Sequence, residues 1–115
     1  MQLPRDAVLL RIFIGEDARF EHRPLYEAIV TKAREAQLAG ATVLRGPMGF
    51  GHSAEVHTTK ILAVSENLPV VIEIVDAKEK IDAFLPTLDG MIPSGLVTLE
   101  KVQVLQYGKA SSTGE

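Results

Sequence analysis

Apolar residues occupy both parities of AVLLRIFIG, Ala7 to Gly15, interrupted only by Arg11 and closed by a glycine. Branched and aromatic side chains at that density predict a strand. The charged stretch EDARFEHR that follows predicts a loop. In PLYEAIVTKAREAQLAG the period becomes helical. Leu25, Ile29, Ala33 and Ala36 share one stripe, with Pro24 where a first turn tolerates it and Gly40 where a C-cap uses it. ATVLR, Ala41 to Arg45, predicts a second strand running into GPMGFG, and EVHTTKIL beyond it alternates weakly through Val56, Thr58, Lys60 and Leu62. A turn cluster, SENLP, precedes VVIEIVD, Val70 to Asp76, a buried strand by composition with Glu73 as its polar interior residue. Asp76 and Glu79 have capping-box spacing, and Ile81, Phe84, Leu85 and Leu88 then predict a second amphipathic helix, which Pro86 should kink or restart. In LVTLEKVQVLQY the alternation slips phase at Glu100 and Lys101, predicting a bulge or two short strands.

The order strand, helix, strand, strand, helix, strand predicts an α+β fold, the ferredoxin-like βαββαβ sandwich: a four-stranded antiparallel sheet with two helices on one face. Two helices cover one face only, and the other should be polar in a protein that stands alone. It is not polar here. The first and third long strands are apolar at both parities except at Arg11 and Glu73, so these two should pair on the open face with Phe13, Val71 and Val75 around them. Such a face calls for a cover, either identical subunits or the segment Gly46 to Leu68 folding back. Residues 1–108 read as one domain with a long loop at about 46–68, and 109–115 as a small, polar, flexible tail.

Composition narrows the chemistry. With 115 residues there is room for one core. A net charge of −3 and a pI near 5.6 supply no basic footprint, so neither nucleic acid nor an anionic membrane is an expected partner. No apolar run is long enough to insert into a bilayer, and MQLPRDAV has no h-region, so no signal peptide is expected. Without cysteine there can be no disulfide, thiolate metal site or thiol nucleophile, which fits a cytoplasmic protein. Ser53, Ser65 and Ser94 lie in no nucleophile motif, so no catalytic residue is assigned and an enzyme is not expected. His52 and His57 are five apart with Glu55 between them and His22 is isolated, so no metal ligand is assigned either.

The glycines at 46, 49 and 51, directly after a strand, are the remaining candidate chemistry. They let backbone amides approach an anion such as phosphate, with Arg45, Lys78 and Lys80 as supporting cations. The same glycines also suit a plain turn or strand irregularity.

With these motifs in order, from LRIFIGE through GATVLRGPMGFG and HTTKILAVSENLPVVIEIVD to FLPTLDGMIPSGLVTLEKVQV, the chain resembles the PII-like signalling proteins. Within that superfamily it resembles the branch catalogued as a domain of unknown function. The resemblance covers about nine tenths of the sequence. It implies a homotrimer that binds an adenine nucleotide (ATP, ADP or AMP) in clefts between subunits and regulates a protein partner, a transporter or an enzyme, through the long loop. Carried over by position, nucleotide contacts would fall on Thr42, Gly49, Phe50 and Gly51, on Lys78 and Lys80 before the second helix, and on Lys101 of the last strand. Arg45 and Gly46 join them on the anion argument. The nitrogen regulators carry Gln-Lys-Gly after G-F-G, where this chain has His52, Ser53 and Ala54. Nor does it have their modified loop tyrosine, so neither 2-oxoglutarate sensing nor uridylylation is carried over. An alternative within the same fold is a metal-binding trimer in which His52, Glu55 and His57 meet symmetry copies.

Overall fold

The computed structural model describes residues 3–52, 56–58 and 67–109. Its elements are β1 (Asp6–Gly15), β2 (Arg19–Phe20), β3 (Arg23–Pro24), α1 (Leu25–Glu35), β4 (Thr42–Arg45), β5 (Met48–Gly49), β6 (His57–Thr58), β7 (Pro69–Asp76), α2 (Lys78–Asp89) and β8 (Leu96–Gln103). The main sheet has the order β4-β7-β1-β8 with every neighbour antiparallel, the ferredoxin-like arrangement expected from the element order. Leu10, Ile12, Ile72 and Ile74 of its two central strands pack against Leu25 and Ile29 of α1 and Ile81, Phe84 and Leu88 of α2, and these side chains are almost wholly buried. At roughly 1.5–3 kcal/mol for each large aliphatic residue removed from water, this layer is the main source of stability.

Several boundaries differ from the sequence expectation, each for an identifiable reason. Helix α1 stops at Glu35, not near Gly40. Gln37 adopts the left-handed conformation, φ 61°, and the amides of Gln37 and Leu38 bond back to Arg34 O at 3.0 Å and Ala33 O at 3.0 Å. That is a Schellman ending, and it forms because it turns Leu38 back into the core beside Ala33. Ala36, placed on the apolar stripe by spacing, is therefore exposed. Asp76 and Glu79 form no capping box. Ala77 occupies the N-cap without a side-chain bond, and the Asp76 carboxylate, 1% exposed, instead accepts from Ala39 N at 2.8 Å and Ala77 N at 2.6 Å.

Pro86 neither ends nor restarts α2, which continues to Asp89. Pro86 lies on the solvent side, where the carbonyl it leaves unpaired can bond water. Strand β8 keeps one unbroken register with β1, from Leu96 opposite Phe13 to Gln103 opposite Asp6, so it has no bulge. As an edge strand it is exposed on both sides along most of its length, and polarity need not alternate there. The segment read as a charged loop contains the β2–β3 hairpin, whose two turn residues, Glu21 and His22, have φ of 50° and 71°. Of the weakly alternating run after the glycines, His57–Thr58 pairs with Met48–Gly49. Residues 59–66 lie outside the described residues, as do Ser53, Ala54, Glu55 and the tail from 110.

Candidate functional site

Directly opposed residues of an antiparallel pair point to the same side, so the register defines the open face. One row across it is Leu44, Val71, Phe13 and Leu96; the next is Thr42, Glu73, Arg11 and Thr98. Arg11 Nε donates to Glu73 Oε2 at 2.9 Å, the pair expected from sequence, and Glu100 Oε1 lies 3.6 Å from the same guanidinium. Val75 and Leu9 continue the apolar surface below the pair. Leu44 and Leu96 at the two edges are about half exposed, at 49% and 56%.

At the lower end of this face is a cavity of about 610 Å³. Its floor is Leu9, Thr42, Glu73 and Val75 of the sheet; one wall is the Ala39–Ala41 turn, and the other is the segment that follows β8, Val104 to Tyr107. The floor is largely apolar, with the Thr42 hydroxyl and Glu73 carboxylate as its polar groups. A flat, weakly polar ring with hydrogen-bonding edges suits such a surface.

The nine residues proposed from sequence fall into separate groups. At the upper end of the sheet Arg45 is paired with Glu16 at 2.5 Å, Gly46 N bonds Pro69 O at 2.8 Å, and Phe50 is 70% exposed. A Cβ at Gly46 or Gly49 would lie 3.0 or 3.1 Å from Pro69 Cγ, whereas one at Gly51 would meet nothing within 4 Å among the described residues. Gly46 and Gly49 thus have a packing reason for being glycine, and among the described residues Gly51 has no such neighbour. His52 Nε2 lies 3.3 Å from Ser94 Oγ, which ties the end of the glycine segment to the turn before β8.

At the other end Lys78 is paired with Asp82 at 2.5 Å. The hydrogen bond that Lys78 donates to the Asp82 carboxylate, and then the charge of that carboxylate, hold the Lys78 ammonium above the usual lysine value, Glu79 adding to them, so it is charged throughout the neutral range. Lys80 Nζ donates to Gln37 O at 2.5 Å, which fastens α2 to the end of α1. Thr42 is on the open face of edge strand β4. Lys101, opposite buried Val8, is on the helix side of the opposite edge strand β8. Three strand spacings of about 4.8 Å separate those edges, roughly 14 Å. One chain therefore does not gather the nine residues around a single ligand.

Sequence reasoning did not identify the Ala39–Ala41 turn or the segment with Gln106 and Tyr107 as cavity walls. The single available signal was an aromatic residue, Tyr107, in an otherwise small and polar stretch. Among the described residues no group of three or more His, Asp or Glu is arranged to hold a metal ion, and no helix is long and apolar enough to cross a membrane. Of the proposed metal trio, Glu55 and the His57 side chain lie outside the described residues.

Comparisons with known proteins agree with this architecture. The solved structure of CPII, a nitrogen regulatory PII-like protein from Thiomonas intermedia K12 bound to ADP, AMP and bicarbonate, superposes with a TM-score of 0.59 at 16% identity, covering 88% of this chain and 90% of that one. A second structure of CPII, bound to ADP and bicarbonate, gives 0.58 at 17% identity over the same shares. At these identities the likeness shows the fold. In sequence, a UPF0166 protein of Aquifex aeolicus (strain VF5) is 44% identical over 97 residues, 84% of this chain and 91% of the relative. A UPF0166 protein of Methanocaldococcus jannaschii is 35% identical over 99 residues, 85% and 91%. The model of the family DUF190, described as "Uncharacterized ACR, COG1993", matches residues 7–104, from the second residue of β1 to just past the end of β8. With all of its sheet but the first residue of β1, and both helices, inside that match, the chain belongs to the DUF190 family.

Proposed function

We propose that the protein is a non-enzymatic, cytoplasmic PII-like regulator. It is a homotrimer that binds an adenine nucleotide in clefts between subunits and reports occupancy to a protein partner, a transporter or an enzyme, through the 46–68 segment. The observation that carries this reading is the cavity of about 610 Å³ on the uncovered sheet face, with Thr42 in its floor. Its walls come from one chain, yet none of the candidate cations lines it: Arg45 is at the upper end of the sheet, Lys101 is on the helix side of β8, and Lys78 and Lys80 are on α2, on the covered side of the sheet at the cavity's own end. A second copy seated on the apolar face would bring its own edge strand, or its own glycine segment, to the cavity mouth. The nucleotide-bound neighbours of the same fold support the choice of ligand. Binding would then shift an existing conformational equilibrium of that segment, the usual basis of a ligand-driven switch.

The test combines light scattering with calorimetric titration of ATP, ADP and AMP, with zinc and copper titrated in parallel. The expected result is a particle of three times the 12.5 kDa chain mass that binds at least one nucleotide in the presence of a chelator. A lone chain at working concentration, or nucleotide silence, overturns the reading. Metal binding lost in His57→Ala together with nucleotide silence would favour the metal-binding trimer, and turnover of a bound nucleotide would make the protein an enzyme.

A further inference from the structure

Beyond β8 the chain does not leave the sheet. Val104 N donates to Arg5 O at 2.7 Å beside the start of β1, and the Tyr107 phenol donates to Ala39 O at 2.6 Å. Strand β8 is one edge of the sheet, and Ala39 lies just before β4, the other edge. The segment 104–107 thus crosses the sheet end to end, as four extended residues reach about 13 Å. In crossing it forms one wall of the open-face cavity.

The two ends of this crossing are held very differently. Ala39 is a rigid catch: its amide is bonded to the buried Asp76 carboxylate, which also holds Ala77 at the start of α2. The preceding turn is fastened a second time by Lys80 on Gln37 O. The crossing segment has little grip of its own. Leu105 is 83% exposed and so contributes little packing, and among the described residues Gln106 bonds only locally, to Gly108 O at 3.3 Å. Gly108, at φ 78°, then turns the chain away.

We infer that residues 104–107 are a hinged strap over the cavity, and that the single hydrogen bond from Tyr107 to Ala39 is the latch that sets how fast a ligand enters and leaves. This rests on the nucleotide reading above and adds a gate to the same site. Losing one neutral hydrogen bond changes an opening equilibrium by about five-fold. Tyr107→Phe removes the latch while keeping the ring.

The test has two arms on the full chain. In hydrogen exchange without ligand, Tyr107→Phe is expected to speed exchange of the Val104 amide, which is bonded to Arg5 O, about five-fold, with β1 and β7 protected as before. In stopped-flow with ADP, association and dissociation rates should rise together, leaving Kd within about two-fold. Unchanged exchange in the strap overturns the inference. So does a rise in dissociation alone, which would make Tyr107 a direct ligand contact, or no rate change with a lowered Tm, which would make the bond structural. Failure of the unaltered protein to bind any nucleotide defeats the functional reading, and the exchange arm still decides whether the strap is latched.

Discussion

Gln37 holds a conformation that costs a side-chain-bearing residue about 1 kcal/mol, and it does so without a glycine's freedom. What keeps it there is Leu38, buried one position later, and Lys80, whose ammonium caps the Gln37 carbonyl. Both interactions survive loss of the Gln37 side chain. Gln37→Gly is therefore expected to stabilise the fold by about 1 kcal/mol, raising Tm by roughly 3–6 °C in a thermal melt. A lower Tm would mean that the side chain has a contact of its own. The helix end was misread from sequence for the same reason. Gly40 carries the usual C-cap signal, but the burial of Leu38 determines where the chain turns, and burial is a property of the assembled core. Arg11 and Glu73 were legible because they are lone polar residues in apolar strands and the topology puts them opposite one another. Tyr107 was not legible, since its partner is a backbone carbonyl 68 residues away.

At the level of elements, the strand and helix order could be read because periodicity reports which faces are covered. The departures occur where coverage is incomplete: β8 is an edge, Pro86 faces solvent, and the β2–β3 turn uses Glu21 and His22 in place of Asn-Gly. In each, local pattern stops constraining the backbone because no buried layer enforces it. The glycine segment divides by the same criterion. Gly49 packs on the Pro69 ring, so Gly49→Ala should cost about 1 kcal/mol by crowding a rigid neighbour at the β5–β6 pair. Among the described residues nothing would meet a Cβ at Gly51, and Gly51→Val should leave Tm unchanged while weakening nucleotide binding roughly tenfold, if its amide approaches a phosphate. Melting curves and calorimetry on both variants separate packing from recognition. Unimpaired binding by a stable Gly51→Val protein would remove this glycine from the site.

For the whole molecule, the open face poses an electrostatic problem. Arg11 sits between Glu73 at 2.9 Å and Glu100 at 3.6 Å, in a surface whose central strands otherwise present Phe13, Val71, Val75 and Leu9. In a single chain the Arg11 and Glu73 side chains are still about one third exposed, so water moderates the cost of any imbalance. Between copies that solvent would be lost. Deleting one partner of a desolvated pair leaves an uncompensated charge worth about 3 kcal/mol or more, whereas replacing both by apolar side chains can be neutral or better. Arg11→Ala should therefore lower the mass measured by light scattering toward that of one chain at neutral pH, because two carboxylates would be brought together without a counter-ion. The double variant Arg11→Leu with Glu73→Leu should assemble again. A trimer that tolerates Arg11→Ala unchanged would mean that this face is not where the copies meet, and that the cavity beside it is closed, if at all, by the chain that forms it.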